Sequence, residues 1–232
     1  SCSGGRRAVV RRLLPLLALL GGCALPSVPV TAPEATAPVA SGSAAQLLAG
    51  LAVKGRAPRT GYDRALFGPA WADVDRNGCD TRNDVLTRDL VRRAYRPRTH
   101  GCVVLSGDLA PDPYTGRAVH FVRGGVDEVE IDHVVALRDA WVTGAFAWSL
   151  ATRRAFANDP LELLAVSAEV NRRKGEGDAA TWLPPYKGYR CAYVARQVAV
   201  KARYRLWVTP AERDAIARVL ASCPGQAPPR EG

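Results

Sequence analysis

Apolar residues recur at helical spacing in some stretches of the chain and alternate with polar residues in others. The helical spacing predicts helices over residues 47–53, 83–95, 140–143, 149–157, 192–206 and 210–221. Short β-branched runs predict strands over 102–105 and 119–122, with a turn at 112–116 between them. Residues 128–137 read as a strand that enters a core, and 161–166 as a short buried strand or turn. The pattern therefore predicts an α+β fold with small β-hairpins and surrounding helices, not a wound parallel sheet.

Two helix boundaries carry capping signals. Thr209 is suited to the N-cap of the last helix, because Pro210 then occupies its first position. Ser167 is predicted to cap a two-turn helix that stops at Gly175.

The N-terminal segment has the pattern of an export signal. A basic region, 6–12, precedes an apolar stretch of about ten residues, whereas a membrane span needs about 20. The stretch ends in Leu-Gly-Gly-Cys23, which resembles the lipobox of bacterial lipoproteins, so Cys23 is expected to be lipidated; a plain signal peptide is the alternative. Residues 24–45 are mostly Pro, Ala, Ser, Thr and Val and predict an unpacked tether. We therefore predict a leader at 1–23, the tether at 24–45, a folded domain at 46–224 and a disordered tail at 225–232.

Export changes how the cysteines are interpreted. Beyond the leader the chain has an even number, in an oxidising compartment and without a C-x-x-C pair, which favours two disulfides over a zinc site: Cys79, Cys102, Cys191 and Cys223. Of the three connectivities, we favour Cys79–Cys102 and Cys191–Cys223, because each joins neighbouring elements. Such loops would each contribute roughly 3 kcal/mol.

Charge adds a weaker signal. The whole chain has a formal net charge of +10, and without the leader it has 28 basic and 22 acidic residues. A basic surface favours polyanions such as nucleic acid or anionic lipid. The strong preference for Arg over Lys offers a compositional alternative. The five tryptophans are expected in the core rather than as stacking platforms for bases.

Two segments carry candidate chemistry. In D-H-V-V-A-L, Asp132 and His133 lie where a strand meets a loop, and in N-R-R-K-G, Asn171 lies one helical turn before Lys174. Carboxylate and amide oxygens suit Mg²⁺, or Mn²⁺ in its place, and a neutral His beside that metal can take a proton from water. Consecutive strand residues face opposite ways, so Asp132 and His133 serve one site only if the backbone bends there.

These segments, in this order, resemble the HNH (ββα-metal) endonuclease superfamily. More narrowly, the chain is similar to exported actinobacterial members related to the C-terminal domain of GmrSD-type restriction endonucleases. The likeness covers residues 61–224, including GYDRALFGPAWADVDRNGCDTRND, DPYTG, FANDPLELLAV, GDAATWLPP and YRCAYVARQVAVKARY. It implies a ββα-metal core with Asp132 and Asn171 as metal ligands and His133 as the general base.

The chain departs from the family at the middle position of the motif. An Asn is usual there, nine residues before the last ligand, and this chain has Glu162. Glu162 could accept a hydrogen bond, bind metal or weaken catalysis, and Asn158 is an alternative source of the missing amide.

We therefore expect an exported, monomeric endonuclease that depends on Mg²⁺ or Mn²⁺. Its substrate would be DNA, with RNA as the alternative, and it would show little sequence specificity. Phosphates would be contacted by three consecutive basic residues: Arg172, Arg173 and Lys174. It would be a cell-envelope lipoprotein, meeting the membrane only through its lipid anchor, or freely secreted. The alternatives are a catalytically weakened protein of the same fold that binds nucleic acid or another polyanion, and a structural envelope lipoprotein.

Overall fold

A computed structural model describes residues 42–125 and 129–229. The predicted leader with Cys23 and most of the predicted tether lie outside the described residues. Within them the protein has seven α-helices and five β-strands. The helices are α1 Ala44–Gly50, α2 Thr81–Asp89, α3 Leu137–Val142, α4 Leu150–Ala157, α5 Ala168–Lys174, α6 Arg190–Arg203 and α7 Pro210–Ala221. The strands are β1 Val91–Tyr95, β2 Val104–Leu109, β3 Val119–Val122, β4 Val129–His133 and β5 Leu163–Ser167.

The strands form two small antiparallel sheets, one ordered β1-β2-β3 and the other a pair of β4 and β5. Strands β4 and β5 are separated in the chain by α3 and α4, and α5 follows β5 directly and contacts both strands. The predicted α+β class is confirmed. So is the predicted pairing of the cysteines, because the disulfides are Cys79–Cys102 and Cys191–Cys223.

The β4–β5 sheet lies between two apolar clusters, and its alternation follows the period of a strand. Ile131, Leu163 and Ala165 face a cluster that includes α2 and the three-stranded sheet. Leu164 and Val166 face the larger cluster formed mainly by the helices. Both faces of the pair are therefore covered, which explains why this segment of β5 reads as an uninterrupted apolar run.

The predicted helix over 83–95 is wrong in its second half. Helix α2 begins after Asp80, whose carboxylate accepts from the backbone N–H of Asn83, and it ends at Asp89. Residues Val91–Tyr95 instead form β1, with irregular register against β2. Most of these β1 side chains are exposed, so a helical apolar face would have had nothing to pack against, and pairing with β2 decides the structure.

The two cap predictions have opposite outcomes. Thr209 caps α7 in a reciprocal capping box with Glu212, as its sequence indicates. Ser167 occupies the N-cap position of α5 but makes no side-chain capping bond. Its backbone N–H instead donates to the Asp112 carboxylate at 3.0 Å, because Ser167 is also the last residue of β5.

The domain begins slightly earlier than predicted. Helix α1 starts at Ala44, inside the predicted tether, with Ser43 and Gln46 forming a capping box. The backbone N–H of Ala44 donates to the carbonyl of Gln226, so the start of the domain lies against residues of the predicted tail. Of that tail, residues 225–229 are described and contain no helix or strand. None of the described helices is both long and apolar enough to cross a membrane.

Candidate active site

The end of β4 borders a cavity of about 300 Å³. Four side chains with the chemistry expected of a hydrolytic site line it: Glu130, Asp132, His133 and Asn171. Asp132 and His133 are the last two residues of β4, and both line the cavity.

His133 is buried and its ring orientation is fixed. Its Nε2 lies 3.0 Å from the carbonyl oxygen of Ala157, the last residue of α4, where helix carbonyls lack partners within the helix. A carbonyl only accepts, so Nε2 carries the proton and a neutral ring leaves Nδ1 with a free lone pair. Burial lowers the pKa of His133 to about 3, against the opposing effect of the Ala157 bond. His133 is thus neutral near pH 7, which leaves its lone pair unprotonated, but a pKa this far below 7 makes it a weaker proton acceptor than an ordinary imidazole.

The indole of Trp71 lies beside this imidazole. The two rings are nearly parallel, with centroids 6.1 Å apart. Trp71 has a positive φ of 60° in the loop before α2, and Ala72 in that loop donates to Asn158 Oδ1 at 3.0 Å. Trp71 is half-buried against the smaller apolar cluster, which agrees with the expected core position, and loop geometry, not local periodicity, also brings it to the histidine.

Asp132 is buried and bonded on both oxygens. Lys174 Nζ donates to each of them at 2.8 Å, and the Tyr114 hydroxyl donates to Oδ2. Lys174 also donates to the His133 carbonyl at 2.6 Å, so one ammonium holds both residues of the Asp-His pair. Burial raises the pKa of Asp132 and the Lys174 charge opposes that rise.

The expectation that Lys174 contacts phosphate needs correction. Its side chain is fully buried, because the last turn of α5 points the ammonium at Asp132 and not at solvent. Arg172 differs: its side chain is 62% exposed and lines the cavity. Arg173 is also exposed but pairs with Glu169 on the helix surface, at 3.5 Å, and is not among the residues that line the cavity. Of the three basic residues, only Arg172 is placed to meet a ligand there.

Glu130 is a site residue that the sequence analysis missed. Its carboxylate accepts from Asn171 Nδ2 and from Arg172 Nε, each at 2.9 Å. The available signal was the strand period, since Glu130 lies two residues before Asp132 and therefore on the same face of β4. Glu130 therefore links β4 to Asn171 and Arg172 of α5.

Glu162 does not line the cavity. It is fully buried, and both carboxylate oxygens lie 3.2 Å from the backbone nitrogen of Val135, which donates to them. Its own carbonyl accepts from Val134 at 3.0 Å. Burial raises the pKa of Glu162 well above its ordinary value, so a role as an exposed anionic metal ligand does not fit. Glu162 fixes the loop that follows His133, while Asn158 fixes the loop of Trp71.

The cavity lining contains oxygen ligands of the types that a hard divalent cation takes, but both Asp132 oxygens already accept from Lys174. Glu130 and Asp132 supply carboxylate oxygens and Asn171 an amide oxygen, the ligand types that Mg²⁺ prefers. A separate group of three buried carboxylates, Asp139, Asp178 and Glu212, also lies close together among the described residues. There likewise, Lys201 already donates to Asp139 and Glu212 at 3.0 Å, so a cationic group occupies that position.

Comparison with known proteins agrees with this geometry. Residues 80–219 match the family described as the C-terminal domain of GmrSD restriction endonucleases. A protein of Arthroderma benhamiae, named an uncharacterized secreted protein, is 35% identical over 210 residues, which cover 89% of this chain and 98% of that protein. No solved structure matches the chain. The matched segment contains Glu130, Asp132, His133 and Asn171, and the narrower likeness to exported actinobacterial members stays a prediction.

Proposed function

This chain belongs to the family of C-terminal domains of GmrSD restriction endonucleases, and on that premise we propose that it is an exported metal-dependent endonuclease. It would hydrolyse phosphodiester bonds of DNA, with RNA as the alternative substrate. The observation that carries the proposal is His133, a buried neutral imidazole whose Nε2 is held by Ala157 and whose Nδ1 is left as a base. It borders a cavity with Asp132, Asn171 and Glu130.

In this mechanism His133 Nδ1 takes a proton from water, and the resulting nucleophile attacks the scissile phosphorus. One positioned base contributes roughly 10²–10⁴-fold. Asp132 and Asn171, with Glu130 beside them, would hold Mg²⁺ or Mn²⁺, which supplies charge stabilisation at the phosphate and leaving oxygen. Arg172 orients the phosphate at the rim.

Lys174 and Glu162 act as positioning residues. Lys174 favours the ionised form of Asp132 and fixes the His133 carbonyl. Glu162 performs through a carboxylate the loop-holding function that the family assigns to an Asn, since it bonds the backbone of Val135. The departure at this position is therefore compatible with activity.

Export is part of the proposal. It is supported by the leader pattern at 1–23, by two disulfides, which persist in oxidising compartments, and by the secreted relative. We propose a monomer of low sequence specificity that is either anchored through lipidated Cys23 or freely secreted.

The proposal is tested by incubating the oxidised protein with supercoiled plasmid in Mg²⁺, Mn²⁺ or EDTA. His133→Ala is compared with His120→Ala, because His120 is an exposed histidine paired with Asp108 on the other sheet. Metal-dependent nicking that His133→Ala loses and His120→Ala keeps is the expected result. Full cleavage by a folded His133→Ala protein would contradict the mechanism, and thermal melting establishes that the variant is folded.

A second candidate is a protein that binds polyanions without cleaving them. The bonds of Lys174 to both Asp132 oxygens favour it, because an ammonium already neutralises this carboxylate. It predicts salt-sensitive binding of nucleic acid and no nicking with any metal by a folded, disulfide-bonded protein. A purely structural envelope lipoprotein would show neither binding nor nicking.

A further inference from the structure

A second cavity, of about 750 Å³, adjoins the His133 cavity. The two share Arg138, Gly175 and Glu176 in their walls and therefore lie side by side. None of the residues assigned to catalysis lines this larger space, which we call the arginine cavity. Its lining includes Arg56, Ala57, Pro58, Arg59, Arg138 and Val142.

Three arginines and two acidic residues, Asp139 and Glu176, line the arginine cavity, and the two acidic residues are paired with Lys201 and Arg138. Arg59 is exposed, and the side chains of Arg56 and Arg138 are 51% and 34% exposed. Arg138 pairs with Glu176 at the shared wall, and Arg56 pairs with Asp178, whereas the described residues include no salt-bridge partner for Arg59. Arg64 and Arg172 line the His133 cavity, so guanidinium groups continue from one cavity into the other.

The walls of the arginine cavity are held before any ligand binds. On one side, Ala57 donates to the Val142 carbonyl at 2.8 Å, and Lys54 and Val208 are joined by a backbone bond at 3.0 Å. On the other side, the Asp178 carboxylate accepts from the backbone of Ala180 and Thr181 at 3.1 Å. The Arg56–Asp178 ion pair joins the two sides. Such a preformed site loses little ordering entropy on binding.

Apolar groups line part of the arginine cavity between the arginines. Ala57, Pro58 and Val142 offer no hydrogen bonds to a phosphate but suit the face of a base or a sugar. A base that is paired and stacked in a duplex must be extruded before it can enter a pocket, at a cost of a few kcal/mol. An unpaired strand avoids that cost.

We propose, resting on the function proposed above, that the arginine cavity binds the nucleotide next to the scissile phosphate in an unpaired nucleic-acid strand. Arg59 and Arg138 contact the phosphate of that nucleotide, and Ala57, Pro58 and Val142 contact its base or sugar. The preferred substrate is therefore a single strand of several nucleotides.

The test measures binding in EDTA, where no cleavage occurs, by fluorescence anisotropy of a labelled 12-nucleotide single strand and of its duplex. The Kd is determined over a range of salt concentrations for the oxidised full chain, for Arg59→Ala and for Arg213→Ala. Arg213 is the matched control, because it is a half-exposed arginine on α7 that pairs with its neighbour Asp214.

We expect Arg59→Ala to weaken single-strand binding about tenfold and to reduce the slope of log Kd against log salt by about one, while Arg213→Ala changes neither. The single strand is expected to bind more tightly than the duplex. Equal loss in both variants, no loss in Arg59→Ala, or duplex binding as tight as single-strand binding would overturn the proposal.

The plasmid assay keeps this result separate from the proposed function. Absence of cleavage of both the plasmid and the labelled single strand in Mg²⁺ or Mn²⁺, together with single-strand binding that depends on Arg59, would contradict the nuclease and support the cavity. Nicking that depends on His133, together with strand binding that does not depend on Arg59, would support the nuclease and contradict the proposal for the arginine cavity.

Discussion

The protein contains two fully buried lysines, each bonded to carboxylates, in two different regions. Lys174 meets Asp132 at the end of β4, and Lys201 meets Asp139 and Glu212 among α3, α6 and α7. The chemistry of the two groups is nearly the same. Their surroundings differ, because Asp132 shares its cavity with a neutral imidazole and an amide. Asp139 lines the arginine cavity, which has neither group, and Lys201 and Glu212 are enclosed by the helical core.

A buried ion pair alone therefore does not indicate a functional site. The Lys201 group joins three helices, and Glu212 also completes the capping box of α7. The Lys174 group has a similar structural role. In addition, Lys174 donates to Asp132 and to the carbonyl of the next residue, His133. What separates them is access to a cavity that contains a base.

The largest expected effect is on stability, in Lys201→Met. Loss of this ammonium leaves buried carboxylates without a counter-charge, so we expect the free energy of unfolding to fall by about 3–5 kcal/mol. Urea unfolding followed by circular dichroism measures it. Lys187→Met, at an exposed lysine, should change the value by less than about 0.5 kcal/mol. A loss in Lys201→Met as small as in this control would mean that the network contributes little.

The second prediction concerns the two disulfides, whose removal should affect activity differently. Paired Cys→Ser changes at either bridge should lower the free energy of unfolding by about 3 kcal/mol. Cys79 follows the loop that places Trp71 on His133, whereas Cys191–Cys223 joins the start of α6 to the residues after α7. Nicking by the folded protein should therefore fall only when Cys79–Cys102 is removed. Equal nicking by both double variants would show that the loop before Cys79 does not affect catalysis.

Lys174→Met should combine a smaller stability loss with a loss of activity. We expect about 2–3 kcal/mol, because water in the adjoining cavity can solvate Asp132 in part. Nicking by the folded fraction should fall by about 10–100-fold, as for other residues that orient a metal ligand. Lys201→Met provides the matched control, since the same substitution there should leave the rate per folded molecule unchanged. Identical rates in both variants would contradict the positioning role of Lys174.

The last prediction concerns pH. Burial raises the pKa of Glu212 to about 7 from 4.5, so the folded state binds more protons than the unfolded state between these values. This contribution to stability is present below pH 4.5 and is lost as the pH rises from 4.5 through 7, and a shift of this size corresponds to about 3 kcal/mol. The difference in unfolding free energy between wild type and Glu212→Gln should shift by that amount between pH 4.5 and 7.5. A difference that does not change with pH would show that Glu212 ionises normally.

Parts of the fold were predictable because their signals are local. Helix α7 has the predicted bounds, since Thr209 and Pro210 define its start by hydrogen bonding and fixed φ. The even cysteine number and their proximity in the chain indicated the disulfides. The strand β1 was mistaken for helix, because its apolar positions have helical spacing and only its pairing with β2 makes it a strand.

The features of the candidate site also divide into those that local sequence predicts and those that depend on tertiary structure. The motif residues Asp132, His133 and Asn171 were identifiable from type and spacing, and the structure brings all three to one cavity. The bonding of Lys174 to Asp132, the approach of Trp71 and the burial of Glu162 were not, because each depends on segments far apart in sequence. A position in a motif specifies which groups are present but not which atoms they face.

The sequence by itself determined the α+β class, the presence of two disulfides, the family and the residue types at the site, and it favoured the disulfide pairing that the structure contains, because periodicity, cysteine number and motif order are properties of the chain. Only the tertiary structure decided that Glu130 joins the site, that Lys174 is unavailable to phosphate and that Glu162 holds a loop. The physical reason is that burial and long-range hydrogen bonds set the charge state and direction of each side chain, and both arise only when distant segments pack together.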